Sequence, residues 1–439
     1  MSGSGRQNLI RAVVLGCLAV VLSWRLFALV DRYAVNILFW DHWDIYGSIF
    51  TPHTVWQMFD WQHGPHRQGL GMLVTKVVAD ISGWNTRAEA FAIAAVVCLS
   101  VPAAFVLKWR LVGALHWSDA IIPLILLTPL QWGTFIDTPN MAYGALPLLL
   151  LMLYCVCWTI DGEWLRYLLV VVISFLTTFT GFGLFIAPIT LGVLLRDVIY
   201  SRWRLPPVAA LLLSVVSTLA FFHHYRFDPA TPDFRFPDPR PYLYPQAMAQ
   251  GLANAVGVSS LGWQPSAVGW PLLVLMVAVA GYHARQCFVR RPGDRGVHLS
   301  VAVLIIFSLS FELFAAVGRI SFGPGCTMIS RYVTLLLPAF LGLYLHFRSM
   351  RRPLPRFICL LLLALPFAAA AGIPRTGDQA DMQFFHDVKT KWRDNYLVHG
   401  DIERADRAAR YPLHPDPEKT HLPEKIDYLK QHRLNFYHP

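Results

Sequence analysis

Long apolar stretches constrain this chain more than anything else in it. Runs near 9–30, 88–107, 119–136, 143–160, 166–180, 182–196, 205–222, 266–283, 298–317, 331–347 and 357–372 carry few charges. A helix of about 20 apolar residues crosses a hydrocarbon core of about 30 Å. Lipid offers no partner to exposed backbone amides, and the runs lack the alternation of barrel strands, so helices are expected. The predicted fold is an all-α integral membrane protein with about eleven transmembrane helices. Composition agrees: 55% of the 439 residues are hydrophobic and only 15% charged, against roughly 25% charged in soluble domains.

The formal charge of +10 is distributed as a topology signal. Arg6 and Arg11 precede or enter the first run, Lys108 and Arg110 follow the second, and Arg196, Arg202 and Arg204 follow the sixth. Arg285, Arg290, Arg291 and Arg295 follow the eighth, and Arg348, Arg351, Arg352 and Arg356 the tenth. With a cytoplasmic N-terminus all of them fall inside, as the positive-inside rule requires. Basic patches interleaved with aromatics are missing, so nucleic acid is not an expected partner. The same parity divides residues 166–196 into two short spans hinged at Thr180-Gly181-Phe182-Gly183. One straight helix there would overshoot the bilayer by about 15 Å and invert every later loop. Most of the seven cysteines lie within spans, where thiols act as small hydrophobes, so no disulfide framework is expected.

Residues 1–372 thus form a membrane domain with two long outer segments, 31–87 and 223–265, and residues 373–439 form a small outer cap. In the first segment Thr51-Pro52 is expected to open a short helix through about Trp61. Leu70, Leu73, Val74, Val77, Val78 and Ile81 then recur at helical spacing, giving an apolar stripe for the membrane surface. The prolines of 223–265 exclude regular helix until about Ala247–Ala255.

Chemistry-bearing residues crowd the outer segments. Asp41 and Asp44 frame D-H-W-D just beyond the first span, and carboxylates three apart share a face if that segment is helical. One could serve as general base while the other positions a metal or an acceptor hydroxyl; the alternative is a solvated loop whose acids start a helix. In H-G-P-H-R, the Gly64-Pro65 turn is expected to present His63, His66 and Arg67 together, as phosphate ligands or as headgroup anchors. Arg319 and Arg331, the latter beside Tyr332, are the basic residues of an otherwise charge-poor outer loop, which suits an anion or interfacial anchoring. Glu312 is placed to pair with Arg319, and Arg25 to snorkel or meet Asp31.

The F-W-D-H-W-D, H-G-P-H-R, T-F-T-G-F-G-L, S-R-Y-V-T and Y-L-K-Q-H-R-L-N-F stretches resemble those of a group of bacterial multi-pass membrane proteins. The arrangement is similar to the GT-C superfamily of polytopic glycosyltransferases. Where that group shows Asn-Glu before His-Arg, this chain has Gly64-Pro65. The resemblance implies a bacterial inner-membrane enzyme moving a sugar from a polyprenyl-phosphate-linked donor to a glycan, lipid or protein acceptor at the periplasmic face. It makes Asp41 the first choice of base and Asp44 the second, with Arg67 and Arg331 holding the carrier phosphate helped by His66. A divalent cation, Mg²⁺ or Mn²⁺, bridging an aspartate and His63 is a further option. The rival classes are a transporter or flippase of lipid-linked saccharides and a non-catalytic polysaccharide-assembly partner. Transporters place ionisable groups near mid-membrane, whereas here they crowd the outer loops.

Overall fold

The computed structural model describes residues 3–228, 234–258, 264–289, 296–373 and 375–438. Arg290, Arg291, Arg295 and the side chain of Arg6 lie outside these described parts. Helices dominate the described chain, and its one sheet is a hairpin of two two-residue strands, Gln62–His63 and His66–Arg67.

Seven described helices are long and apolar enough to cross a membrane: Gln7–Tyr33, Thr86–Val112, Gly183–Tyr200, Leu205–Phe222, Pro265–Val289, Gly296–Phe322 and Pro353–Gly372. Their ends follow local chemistry. The Asn85 side chain accepts the Arg87 and Ala88 amides to start one helix, and Gly113, at φ +75°, ends it in the left-handed conformation. Four of the eleven expected spans differ. Residues 119–136 form short pieces, among them Ile121–Leu126 and Gly133–Ile136, because Thr128-Pro129 breaks the ladder. Ala145–Cys157 and Glu163–Thr178 have 13 and 16 residues. Ser330–Arg348 has the length of a span but includes Arg331, His346 and Arg348, and is buried along most of its length. The expected break near Thr180 is present, the chain turning between Thr178 and Gly183.

Several local expectations shift. The helix expected from Thr51 runs Val55–Phe59, capped by Thr54, whose hydroxyl accepts from the Gln57 amide while Gln57 accepts from the Thr54 amide. Arg25 donates to the Ala370 and Ala371 carbonyls instead of meeting Asp31, and Asp31 pairs with Arg87 at 2.5 Å. Lys108 is no surface topology charge: it is fully buried against Asp119 at 2.6 Å.

A second apolar cluster joins the segment 31–87 to the C-terminal residues 376–438 that cap the helices. Trp43, Trp84, Trp392, Leu413, Leu422 and Ile426 are all buried in it. Backbone bonds stitch the two parts, the Trp40 amide donating to Leu413 (3.0 Å) and the Asn435 amide to Gly83 (2.8 Å). Lys389 in the cap helix Thr376–His399 donates to the Ile136 and Asp137 carbonyls, both at 2.6 Å. The cap therefore rests on the broken segment that stands where a straight span was expected.

Candidate active site

A cavity of about 1290 Å³ opens between the helical layer and the cap. Asp41, Asp44, His63, His66, Arg319, Arg331 and Tyr332 all line it. The sequence places these residues in three separate stretches; the fold brings them to one wall system.

D-H-W-D becomes a single helical turn, His42–Ile45, with Asp41 at its N-cap. The i,i+3 spacing sends both carboxylates into the cavity, while His42 and Trp43 are fully buried on the other side. His42 accepts the Phe39 amide at Nδ1 (3.1 Å) and donates from Nε2 to the Pro139 carbonyl (2.6 Å). Burial lowers its pKa to about 3, so it is a neutral strut. The two aspartates differ. Asp44 accepts from His414 Nε2 (3.1 Å) and from the Thr420 hydroxyl (2.5 Å). Burial opposes its ionisation, but these bonds prevail and hold the carboxyl at about 2. The Asp41 side chain has no hydrogen bond or ion pair among the described residues.

H-G-P-H-R forms the hairpin, Gln62 opposite Arg67 and His63 opposite His66, with Gly64 at φ +54° in the turn. Opposed residues share a face and successive residues alternate. His63 and His66 therefore face the cavity, and Arg67 cannot join them. The expectation that Arg67 holds a phosphate is corrected by this geometry. Its guanidinium is 2.7 Å from Asp60 and donates to the carbonyls of Asp60, Phe221 (2.9 Å) and His223 (2.5 Å). It ties the segment 31–87 to the C-terminal end of Leu205–Phe222.

His66 donates from Nδ1 to the Gly181 carbonyl at 2.8 Å and packs against Phe182 with ring centroids 4.2 Å apart. Burial lowers its pKa to about 3. It offers the cavity a neutral acceptor nitrogen, suited to a hydroxyl donor, in place of the positive charge that phosphate would need. Burial also pushes the His63 pKa down, partly countered by Asp41 and Asp44.

Arg331 opens the Ser330–Arg348 helix, 3.4 Å from Asp137. Ser330 holds that corner, accepting the Gly133 amide at 2.9 Å and donating to the Leu130 carbonyl at 2.7 Å. Arg319 lies over the Tyr332 ring at 5.8 Å and has no acidic partner among the described residues. The expected Glu312–Arg319 pair is absent. Glu312 is fully buried against Gly251, where an added Cβ would come within 1.7 Å of its Oε1.

Asp228, His414, Asp416 and Lys419 line the cavity together with the two aspartates, and Phe182, Phe185, Phe227 and Phe314 add aromatic surface to it. His414 was missed from sequence, although P-L-H-P-D-P, a proline-bracketed turn in a charged tail, was its available signal. Among the described residues no group of three or more His, Cys, Asp or Glu side chains has a metal-holding arrangement. Asp44 already spends its oxygens on His414 and Thr420. No protein-family model and no curated protein sequence matches the chain.

Proposed function

We propose that the outer cavity is the active site of a GT-C-type glycosyltransferase of the bacterial inner membrane. It moves a sugar from a polyprenyl-phosphate donor to an envelope glycan, lipid or protein acceptor. Counting the four shorter or less apolar segments, the chain crosses about eleven times, with its N-terminus cytoplasmic and the cavity periplasmic. One observation carries the reading: Asp41, a carboxylate with no partner of its own, shares a cavity with Arg319 and Arg331 at the head of the membrane domain.

In this mechanism Asp41 takes the proton of the acceptor hydroxyl as its oxygen bonds to the anomeric carbon. The carbon–oxygen bond to the phosphate breaks, and the carrier leaves as an anion held by the two arginines. His66 Nε2 accepts from a sugar hydroxyl, and the phenylalanines of the cavity wall receive the first isoprene units. Asp44, bound by the cap, positions the turn that aims Asp41. A cavity of about 1290 Å³ exceeds the roughly 300–1,000 Å³ of ordinary small-molecule sites, as a donor and acceptor bound together require.

The test is reconstituted protein carrying Asp41→Asn. Loss of a general base slows turnover of a polyprenyl-linked sugar by about 10²–10⁴-fold, with helicity and monodispersity unchanged. Undiminished turnover by that variant would remove the proposed base.

A further inference from the structure

Tyr143 and Asn140 line the same cavity, and the chemistry above gives neither a part. Behind them stands Gln68, 1% exposed, with Asn140 itself 5% exposed. A backbone amide can only donate, and one such amide fixes the direction of every hydrogen bond in this group. The Ala142 amide donates to Asn140 Oδ1 at 2.7 Å, which turns Asn140 Nδ2 toward Gln68 Oε1 at 3.4 Å. Gln68 Nε2 is left facing the Tyr143 hydroxyl and donates to it at 2.9 Å. The phenol oxygen is the acceptor in that bond, so its own proton points elsewhere. That proton has no acceptor among the described residues, and Tyr143 borders the cavity.

His66 is fixed in the opposite sense from the same backbone junction. The Gly181 amide donates to the Ala142 carbonyl at 3.0 Å, and the Gly181 carbonyl accepts from His66 Nδ1 at 2.8 Å. A carbonyl can only accept, so the neutral imidazole keeps its proton on Nδ1 and shows a lone pair at Nε2. Glycine is required at 181, where a Cβ would stand 2.2 Å from Tyr143 Cδ1. The phenol and imidazole meet edge to face, their centroids 5.4 Å apart and their planes at 66°. Phe182 lies 4.2 Å from the imidazole and 5.8 Å from the phenol. A committed donor thus stands beside a committed acceptor, both uncharged, against aromatic surface.

An anion meets a donor at Tyr143 but a lone pair at His66, and an ammonium meets the reverse. A hydroxyl both donates and accepts, and neighbouring hydroxyls on one ring serve the two groups together. We infer that Tyr143 is a specificity-determining residue, forming with His66 a subsite for the hydroxyls of an uncharged sugar ring. Tyr143 donates to one hydroxyl and His66 accepts from one, while Gln68 and Asn140 are positioning residues that aim the phenol proton. Identifying that ring with the transferred sugar rests on the transferase reading; the polarity argument stands without it.

Saturation-transfer NMR titration of the full chain in phospholipid nanodiscs measures binding of methyl glucoside, methyl mannoside and methyl galactoside without turnover. For the tightest of the three, its monodeoxy analogues include one whose missing hydroxyl weakens binding about tenfold. Tyr143→Phe keeps the ring, weakens the parent glycoside by a similar factor and removes that contrast. At the same sugar position fluorine, which accepts, rescues part of the affinity, and an ammonium, which only donates, rescues none. Asn140→Asp replaces the donor at Nδ2 by a carboxylate oxygen, so the Gln68 amide turns round and draws the phenol proton inward. The contrast then vanishes with the phenol in place, and returns at a pH low enough to protonate the new carboxyl. Should either variant fail to fold, the fluorine and ammonium series on the wild type decides the matter. A contrast that survives Tyr143→Phe, rescue by ammonium in place of fluorine, or no binding of any of the three glycosides would each overturn the inference. The Tyr143-dependent contrast without transfer from a lipid-linked sugar would reject the transferase alone. Transfer by a protein whose contrast ignores Tyr143→Phe would reject the subsite alone.

Discussion

Arg67→Met separates an anion ligand from a structural tie. The guanidinium is 3% exposed and its partner Asp60 20%, and it also serves three backbone carbonyls. Methionine keeps the volume of the stem but leaves a carboxylate and those carbonyls without donors. Removing one partner of a buried ion pair costs about 3–5 kcal/mol, and the residual exposure of Asp60 places this site near about 3. For 439 residues, about 2.1 cal/mol/K per residue gives an unfolding entropy of about 0.9 kcal/mol/K. The melting temperature then falls by about 3 °C, a lower bound, because membrane helices persist in the unfolded reference state. Tryptophan fluorescence during heating in detergent measures the shift. The surviving folded protein binds lipid-linked phosphate with wild-type affinity, since Arg67 does not line the cavity. Adding Asp60→Asn, which removes the stranded charge, restores part of the loss. A variant that melts with the wild type yet loses phosphate affinity would refute the argument and return Arg67 to the anion site.

Further outcomes follow from the same geometry. Asp44 is depressed to about 2 from its ordinary 3.8, because bonds from His414 and Thr420 outweigh burial. Its contribution to cap docking is therefore complete above about pH 4 and disappears as pH falls toward 2. Protease cleavage of the cap across that range should accelerate, and Asp44→Asn should flatten the profile. Gly69→Ala meets a backbone conformation at φ +51° and a Cβ only 2.4 Å from the Phe179 carbonyl oxygen. The left-handed conformation alone costs about 1–2 kcal/mol, so a measurably lower melting temperature is expected and an unchanged one would contradict the packing. Asp119→Asn strands Lys108, which is fully buried. About 3–5 kcal/mol is lost, read as earlier denaturation in a harsh-detergent titration, and adding Lys108→Met, which removes the stranded charge while the new side-chain amide still pairs with Tyr344 and the His116 amide, recovers most of it.

Much of the membrane layer was legible because hydropathy and length suffice where a helix meets lipid. Gln7–Tyr33, Thr86–Val112 and Leu205–Phe222 lie close to the apolar runs that announced them. The segment 119–136, expected as one straight helix, is broken at Thr128-Pro129. Its apolar residues pack against protein, where broken helix is tolerated, and hydropathy does not distinguish a lipid-facing residue from a protein-facing one. The two aspartates were readable from their spacing. Arg67 was not, because the H-G-P-H-R turn closes a strand pair, and strand alternation reverses the side chain that a mere turn would have left beside His66. His414 lay beyond local reasoning altogether, its role set by an aspartate 370 residues earlier.

That separation has a consequence for how the protein is made. The Asp44 carboxylate waits for partners 370 and 376 positions downstream. Asn36 likewise meets Asn435, the pair separated by 399 positions. During synthesis Asp44 is made early and stays without these partners until His414 and Thr420 follow, so the side of the cavity that they complete is among the last parts of the described chain to form.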